Sequence, residues 1–269
     1  MPTFLPLPVP GHRFRPSARL RKGLWGLALA VAPPLALAQE PALQQGESRW
    51  GIGVGLDVQR DAYRGTDNHH QGIPLLYFEN RWVRVLGPGI DLKLTSQGPV
   101  SFRLKARYAL DGYEASDSPH LAGMAERKGG VWVGGEATWH TPLLDLHAEL
   151  AGDASGHSHG RQFRLQADRQ FRQGRFSITP RLAAIRLDQD YVSYYYGVAA
   201  AEARPGRAQY GGDATTNVEV GLRIDYALSP QHNLFLDLRA TRLGDGIRDS
   251  PLVDRSRLGG LRVGYLYRF

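Results

Sequence analysis

From Val218 the chain reads Val-Glu-Val-Gly-Leu-Arg-Ile-Asp-Tyr-Ala, with Val218, Val220, Leu222, Ile224 and Tyr226 alternating with Glu219, Gly221, Arg223 and Asp225. Successive side chains of a strand point to opposite sides, so this segment is apolar on one face and charged on the other. Wound as a helix, it would drive those charges into its own apolar stripe. The pattern recurs elsewhere. Val100, Phe102, Leu104, Ala106, Tyr108 and Leu110 oppose Ser101, Arg103, Lys105, Arg107 and Asp111. Leu144, Leu146, Ala148 and Leu150 oppose Asp145, His147, Glu149 and Asp153, and Leu234, Leu236, Leu238 and Ala240 oppose Asn233, Asp237 and Arg239.

A soluble β-sandwich also alternates. These runs, however, reach about ten residues, the length of a tilted bilayer crossing rather than the five or six usual in globular sheets. Aromatic residues stand toward the strand ends (Trp50, Tyr77, Trp82, Tyr108, Trp139, Tyr226, Tyr265 and Tyr267), at the expected level of lipid headgroups. The expected fold is all-β, a transmembrane antiparallel up-and-down β-barrel. Twelve strands are expected, near 50–60, 72–84, 89–96, 100–111, 129–140, 143–153, 159–171, 175–187, 191–200, 215–227, 232–243 and 256–269, with ten as the alternative count. An even number returns both ends of the barrel to one side. Leu86–Gly89 and Gln97–Pro99 read as short turns, and the polar stretches 61–71, 112–128, 201–214 and 244–255 as surface loops.

Residues 1–38 read as an export signal. Arg13, Arg15, Arg19, Arg21 and Lys22 precede an apolar stretch from Gly23 to Ala38 that ends in Ala36-Leu37-Ala38, the small-x-small pattern cut by signal peptidase. Pro33 and Pro34 and its short length make it a poor membrane-spanning helix. Residues 39–49 are expected to form a short periplasmic lead, and 50–269 the barrel. The net charge of +7 includes those five leader charges, so only +2 remains beyond them, and a basic pI of 9.8 does not point to nucleic acid. No cysteine is present, which excludes disulfides, thiolate metal sites and cysteine nucleophiles. Mean hydropathy is −0.35 and no later segment is long and apolar enough for a membrane helix. Strands are then the only way across a membrane, because lipid leaves every other backbone unsatisfied.

Leu261, Val263, Tyr265, Tyr267 and Phe269 alternate to a terminal aromatic, with Arg262, Gly264 and Arg268 on the other face. This closing strand must pair by edge addition while showing an apolar face to lipid. It matches the pattern read by the outer-membrane insertion machinery of Gram-negative cells, so these five residues are the expected insertion signal.

The chain resembles the MipA/OmpV family of MltA-interacting outer-membrane proteins. The resemblance is carried by Gly51–Trp82, with Tyr63, Gly65, Asp67, Pro74 and Tyr77 in order; by Leu121-Ala122-Gly123-Met124; by Tyr194–Val198 with Glu202-Ala203; and by the closing strand Gly260–Phe269. It implies an outer-membrane scaffold linking a periplasmic lytic transglycosylase to a murein synthase at the peptidoglycan. Other members are described in adhesion or osmotic-response terms, and a small-solute channel or adhesin is the alternative. No catalytic residue set belongs to the family, so none is carried over.

The residues themselves offer few enzyme signals. Asp153, His157 and His159 sit within Asp-Ala-Ser-Gly-His-Ser-His-Gly, with His69-His70 as a second cluster, and alternate residues of an extended segment can converge on one ion. The Gly/Ser-rich composition reads better as a wet loop. Outer-membrane lipid hydrolases place a His-x-Ser pair on the lipid face; no histidine here has serine two positions later, and His140 and His147 fall on the inward phase. A serine meeting a histidine across strands stays open. No catalytic residue, metal or cofactor is expected. Arg103, Lys105, Arg107, Arg223, Arg239, Arg262 and Arg268 either line an anion pore or pair with Asp145, Glu149, Glu219, Asp225 and Asp237. Mixed signs favour the paired, nearly closed lumen.

Overall fold

A computed structural model of the chain describes residues 47–269. The leader, Ala36 and Ala38, and most of the expected lead therefore lie outside the described residues. Thirteen strands form one antiparallel sheet: β1 (Arg49–Arg60), β2 (Asn68–Glu79), β3 (Val83–Leu86), β4 (Gly89–Lys93), β5 (Val100–Ala109), β6 (Gly130–His140), β7 (Asp145–Asp153), β8 (Arg161–Asp168), β9 (Phe171–Gln173), β10 (Phe176–Leu187), β11 (Thr215–Ala227), β12 (His232–Arg242) and β13 (Arg257–Arg268). Each pairs with its chain neighbour, except that β8 and β9 both pair with successive stretches of β10. They are one wall strand broken opposite Pro180, which has no N–H to give to the ladder; Arg169 N instead donates to Pro180 O at 3.4 Å. The circuit closes where β13 pairs with β1 from Gly51–Arg268 to Gln59–Gly260, giving a closed barrel of twelve wall strands.

Closure brings the backbones together. A Cβ on Gly53 would lie 2.1 Å from the Tyr265 carbonyl oxygen, so this seam position admits only glycine. The turns at one end are short (80–82, 94–99, 141–144, 174–175 and 228–231), whereas those at the other run 61–67, 110–129, 154–160, 188–214 and 243–256. In barrels of this kind short turns face the periplasm and long loops the outside.

Residues alternate as the sequence predicts. Ile52, Val54 and Leu56 of β1, Leu182 of β10, Val220 of β11 and Val263 of β13 form an outward apolar belt; Val54 is 66% exposed although its strand lies mid-sheet. That much apolar surface is stable against lipid, not water. Trp50, Trp82, Trp139, Phe176, Tyr226, Tyr267 and Phe269 ring its periplasmic edge. Tyr77 departs from the expected girdle: it is buried, points inward, and its hydroxyl donates to Glu79 Oε2.

Two expected boundaries change. The stretch 191–200 is not a strand but helix α1 (Gln189–Tyr196) followed by a 3₁₀ turn at Ala200–Glu202. Asp188 caps α1, its carboxylate accepting from Tyr191 N at 3.0 Å, and Val192 and Tyr195 bury at helical spacing. Helix α2 (Asp245–Arg248) is a single turn in the last long loop. The expected strand 72–84 is two: Asn80 Oδ1 accepts from Trp82 N and Val83 N, ending β2 and starting β3. The count stays at twelve because β3, split from the expected 72–84, replaces the strand lost to α1. The β3–β4 hairpin is short. β2 pairs with β3 only through Tyr77–Glu79, so Asn68–Leu75 have no strand neighbour on that side. Gly87 N donates to Leu76 O, and Pro74 points the same way, removing one donor from the uncovered edge.

Placing an arginine at outward mid-belt Val54 is expected to cost about 2–4 kcal/mol of unfolding free energy in lipid vesicles, whereas Val58→Arg, nearer the headgroups, is expected to cost about 1 kcal/mol or less. Denaturant titration measures both; equal costs would contradict this placement of the belt.

Candidate functional site

The best-packed part of the molecule lies in the long loops, not in the barrel wall. Ala62, Leu187, Val192, Leu243, Ile247 and Val253 form one buried cluster, and Tyr63, Tyr113, Leu121, Met124, Val198 and Leu252 form another. The Tyr63 ring meets Tyr113 edge-on at 4.7 Å and stacks with Tyr196 at 5.6 Å. Its hydroxyl donates to Tyr195 O at 3.1 Å, and that of Tyr210 to Gly246 O at 2.8 Å. Tyr63 starts the first loop, Tyr113 and Leu121 belong to the 110–129 loop, α1 and Val198 to the 188–214 loop, and Leu252 to the last. Four loops thus share one core across the outer mouth. Gly65, in the left-handed region at φ 72°, turns the first loop beneath Ser118, whose hydroxyl donates to Arg64 O at 2.7 Å.

Two arginines, the part-buried Arg127 and the buried Arg207, tie this cork. Arg127 Nη2 donates to both Glu202 carboxylate oxygens at 3.0 Å, and its Nε to Tyr194 O at 2.7 Å. Glu202 also accepts from Ala125 N and Ala199 N at 2.9 and 3.0 Å. Burial alone would raise the Glu202 pKa, but these hydrogen bonds and the Arg127 charge outweigh it and hold the carboxyl below its ordinary range. Arg207 is 5% exposed and donates to the carbonyls of His120, Ala122 and Glu202 at 2.7–3.1 Å, clamping the Leu121–Met124 turn. Burial, opposed by Arg127, pushes the Tyr113 phenol up to about 12. Of the residues that carry the family resemblance, Tyr63, Gly65, Leu121–Met124, Tyr194–Val198 and Glu202 meet in this one structure, whereas Pro74, Tyr77 and the closing strand belong to the wall.

Below the cork the lumen is crossed by ion pairs. Lys105 bridges Glu136 at 2.9 Å and Glu149 at 2.6 Å, with Arg103 3.7 Å from Glu136. Arg164 pairs with Glu219 at 2.6 Å, and Arg181 takes Asp237 with two nitrogens at 2.7 and 2.8 Å. Asp57 receives Arg262 at 3.2 Å and Arg239 at 3.5 Å, while Arg223 pairs with Asp225 at 2.8 Å. Arg107 and Arg268 lie over the rings of Trp132 and Tyr77. The expected internal pairing holds for Arg103, Lys105, Arg223, Arg239 and Arg262, while Asp145 faces His140 instead; the partners Asp57, Glu136, Arg164 and Arg181 were not singled out by the sequence. They carry the same alternation signal.

At the periplasmic mouth the inward histidines meet acids and hydroxyls. Ser101 Oγ is 3.0 Å from His140 Nε2, and His140 Nδ1 is 3.0 Å from Asp145 Oδ1. His147 Nε2 is 3.0 Å from Asp168, and its Nδ1 is 3.0 Å from Thr138 Oγ1. Asp145, His147 and Asp168 could converge on a cation, but both His147 nitrogens already face protein partners and Asp145 serves His140. The serine–histidine–aspartate order is that of a nucleophile relay. Its surroundings are not: His140 and Asp145 are 45% and 40% exposed, and nearby backbone donors are engaged, His140 N by Pro99 O and Val100 N by Gln97 O. Neither of these two donors is free to serve an oxyanion hole. Asp153, His157 and His159 do not converge on an ion. Asp153 instead caps its own loop, accepting from Ser155 N, Ser158 N and His159 N, and His157 Nδ1 faces Gly129 O at 2.8 Å. His69 and His70 stand on opposite faces of β2.

Arg127→Gln should strand the Glu202 charge and destabilise the cork by about 3 kcal/mol, read as faster proteolysis of residues 110–129 with the wall strands still protected. Because the folded Glu202 pKa is depressed, its contribution is full above the ordinary glutamate value and fades as pH falls through the folded value. Acid should therefore speed the same cleavage in the parent chain and leave Glu202→Gln unaffected.

The family model described as MltA-interacting protein MipA matches residues 52–269. The MltA-interacting protein of Escherichia coli K12 is 27% identical over 248 residues, covering 90% of this chain and 98% of that one. Outer membrane protein OmpV of Vibrio cholerae is 26% identical over 252 residues, covering 86% and 93%. Among solved structures, a NanC porin matches 80% of this chain and 98% of its own with a TM-score of 0.43 and 9% identity. The match of sequence over nearly the whole barrel settles the kinship: this outer-membrane chain belongs to the MltA-interacting protein MipA family.

Proposed function

We propose that the chain is a non-conducting outer-membrane scaffold whose periplasmic face holds a murein transglycosylase of the MltA kind and, through it, a murein synthase. The observation that carries this reading is the cork. Four loops packed into a shared core and ion pairs across the lumen leave no wide aqueous path, so the surface offered to periplasmic proteins is the ring of short turns and the mouth around His140 and Asp145. The name of the Escherichia coli relative supports the partner. The Ser101–His140–Asp145 relay is assigned no catalysis, because it stands exposed and the backbone donors His140 N and Val100 N are engaged. Leu261, Val263, Tyr265, Tyr267 and Phe269 face outward along β13, and Phe269 N donates to Trp50 O at 2.9 Å across the seam. We read them as the insertion signal, and deletion of Phe269 is the variant that exposes that role through loss of assembled protein.

Co-purification from gently solubilised envelopes tests the scaffold. Transglycosylase is expected with the parent chain and is expected to be lost when turns 94–99 and 141–144 are replaced by short Gly-Asn turns. Recovery at background with the parent would remove the reading. In planar bilayers the purified barrel is expected to be electrically silent, and steady ohmic steps would favour the small-solute channel instead.

A further inference from the structure

The two edges of the apolar belt are built differently. Aromatic rings line the periplasmic edge, but at the outer edge five strands end in outward arginines: Arg60 of β1, Arg161 of β8, Arg186 of β10, Arg242 of β12 and Arg257 of β13. All five are exposed, and none has a carboxylate within 4 Å among the described residues, whereas the lumen's Arg103, Lys105, Arg164, Arg181, Arg223, Arg239 and Arg262 are all paired. Arg242 and Arg257 stand directly opposite each other in the β12–β13 ladder. Like charges in that position repel, and among the described residues no carboxylate within 4 Å offsets them.

Beneath this pair lies a groove of about 730 Å³ over β11–β13 and β1. Val58, Leu238, Ala240, Gly259 and Leu261 present its outward apolar lining, with Arg60 and Arg257 at its rim. A Cβ on Gly259 would meet nothing within 4 Å, so the floor there is open space. A cationic rim at headgroup depth above an apolar furrow at acyl depth complements an anionic amphiphile. Arginine pairs bind phosphate with charge-assisted hydrogen bonds.

We propose that Arg242, Arg257 and Arg60 hold the phosphorylated headgroup of an outer-leaflet lipid, whose acyl chain lies in the groove over Ala240 and Gly259. The anion relieves the Arg242–Arg257 repulsion, and the site faces lipid, independently of any periplasmic partner.

The full chain, refolded in detergent, is titrated with diphosphorylated lipid A and with its enzymatically dephosphorylated form, and bound lipid is counted by native mass spectrometry. Phosphorylated lipid is expected to bind, and removal of the phosphates or of each arginine in Arg242→Gln and Arg257→Gln to weaken it about tenfold. Arg242→Lys with Arg257→Lys should restore most binding, which separates lost charge from lost fold. Gly259→Leu, whose Cβ meets nothing within 4 Å, should weaken acylated lipid while leaving heat-modifiable gel migration unchanged. Equal binding of both lipids, or unchanged binding by the folded glutamine variants, would overturn the proposal. So would displacement of the lipid by inorganic phosphate alone at equal concentration, since that marks a free-anion site.

Discussion

A peptide N–H or C=O left unpaired in hydrocarbon costs several kcal/mol, and the architecture follows from meeting that demand around the belt. The meeting of β13 with β1 removes the last edges of the sheet, and Gly53 permits the approach. Where pairing lapses, the chain lowers the demand. Pro180 stands opposite the break between β8 and β9, and Pro74 on the uncovered side of β2, each a residue with one donor fewer. Proline in these strands marks the places where the ladder is interrupted.

Closure also inverts the usual distribution of polarity. Apolar side chains turn outward, so the interior receives the charges and must pair them. Lys105 with Glu136 and Glu149, and Arg181 with Glu219 and Asp237, answer that need within the lumen. Such pairs add less to net stability than their Coulomb attraction suggests, because each ion gives up water to form them. They do fill and organise the space. The water-excluding core is displaced into the loops, where Tyr63, Tyr113, Leu121, Val192 and Leu252 pack as in a soluble domain. Arg127 and Arg207 satisfy the backbone carbonyls and the carboxylate that this burial would otherwise leave without partners. The barrel anchors; the loops pack.

The wall was legible in the sequence because period-2 alternation reports directly on a face buried in one medium and a face exposed to another. Val218–Tyr226, Val100–Tyr108 and Leu261–Tyr267 all lie in strands with the predicted faces. The cork was not legible. The stretch 112–128 is polar by count, and its buried Tyr113, Leu121 and Met124 are spaced by turns rather than by a period. Residues 191–196, Tyr-Val-Ser-Tyr-Tyr-Tyr, favour a strand on propensity, yet Asp188 three residues before Tyr191 is a cap signal that points to the helix. Tyr77 reads as a girdle residue by composition, but its odd position on β2 turns it inward onto Glu79. The Ser101–His140–Asp145 contact joins three strands in space and leaves no local trace in the sequence.

A closed outer mouth requires the cork to be a folded core rather than a set of solvated loops. Amide hydrogen exchange of the barrel in detergent, read by residue, tests this most directly. Val192 N bonded to Asp188 O, Met124 N bonded to Leu121 O and Val198 N bonded to Tyr210 O should exchange as slowly as amides of the wall strands. Exchange of these amides at the rate of unprotected loop backbone, with the wall still protected, would contradict a sealed outer mouth.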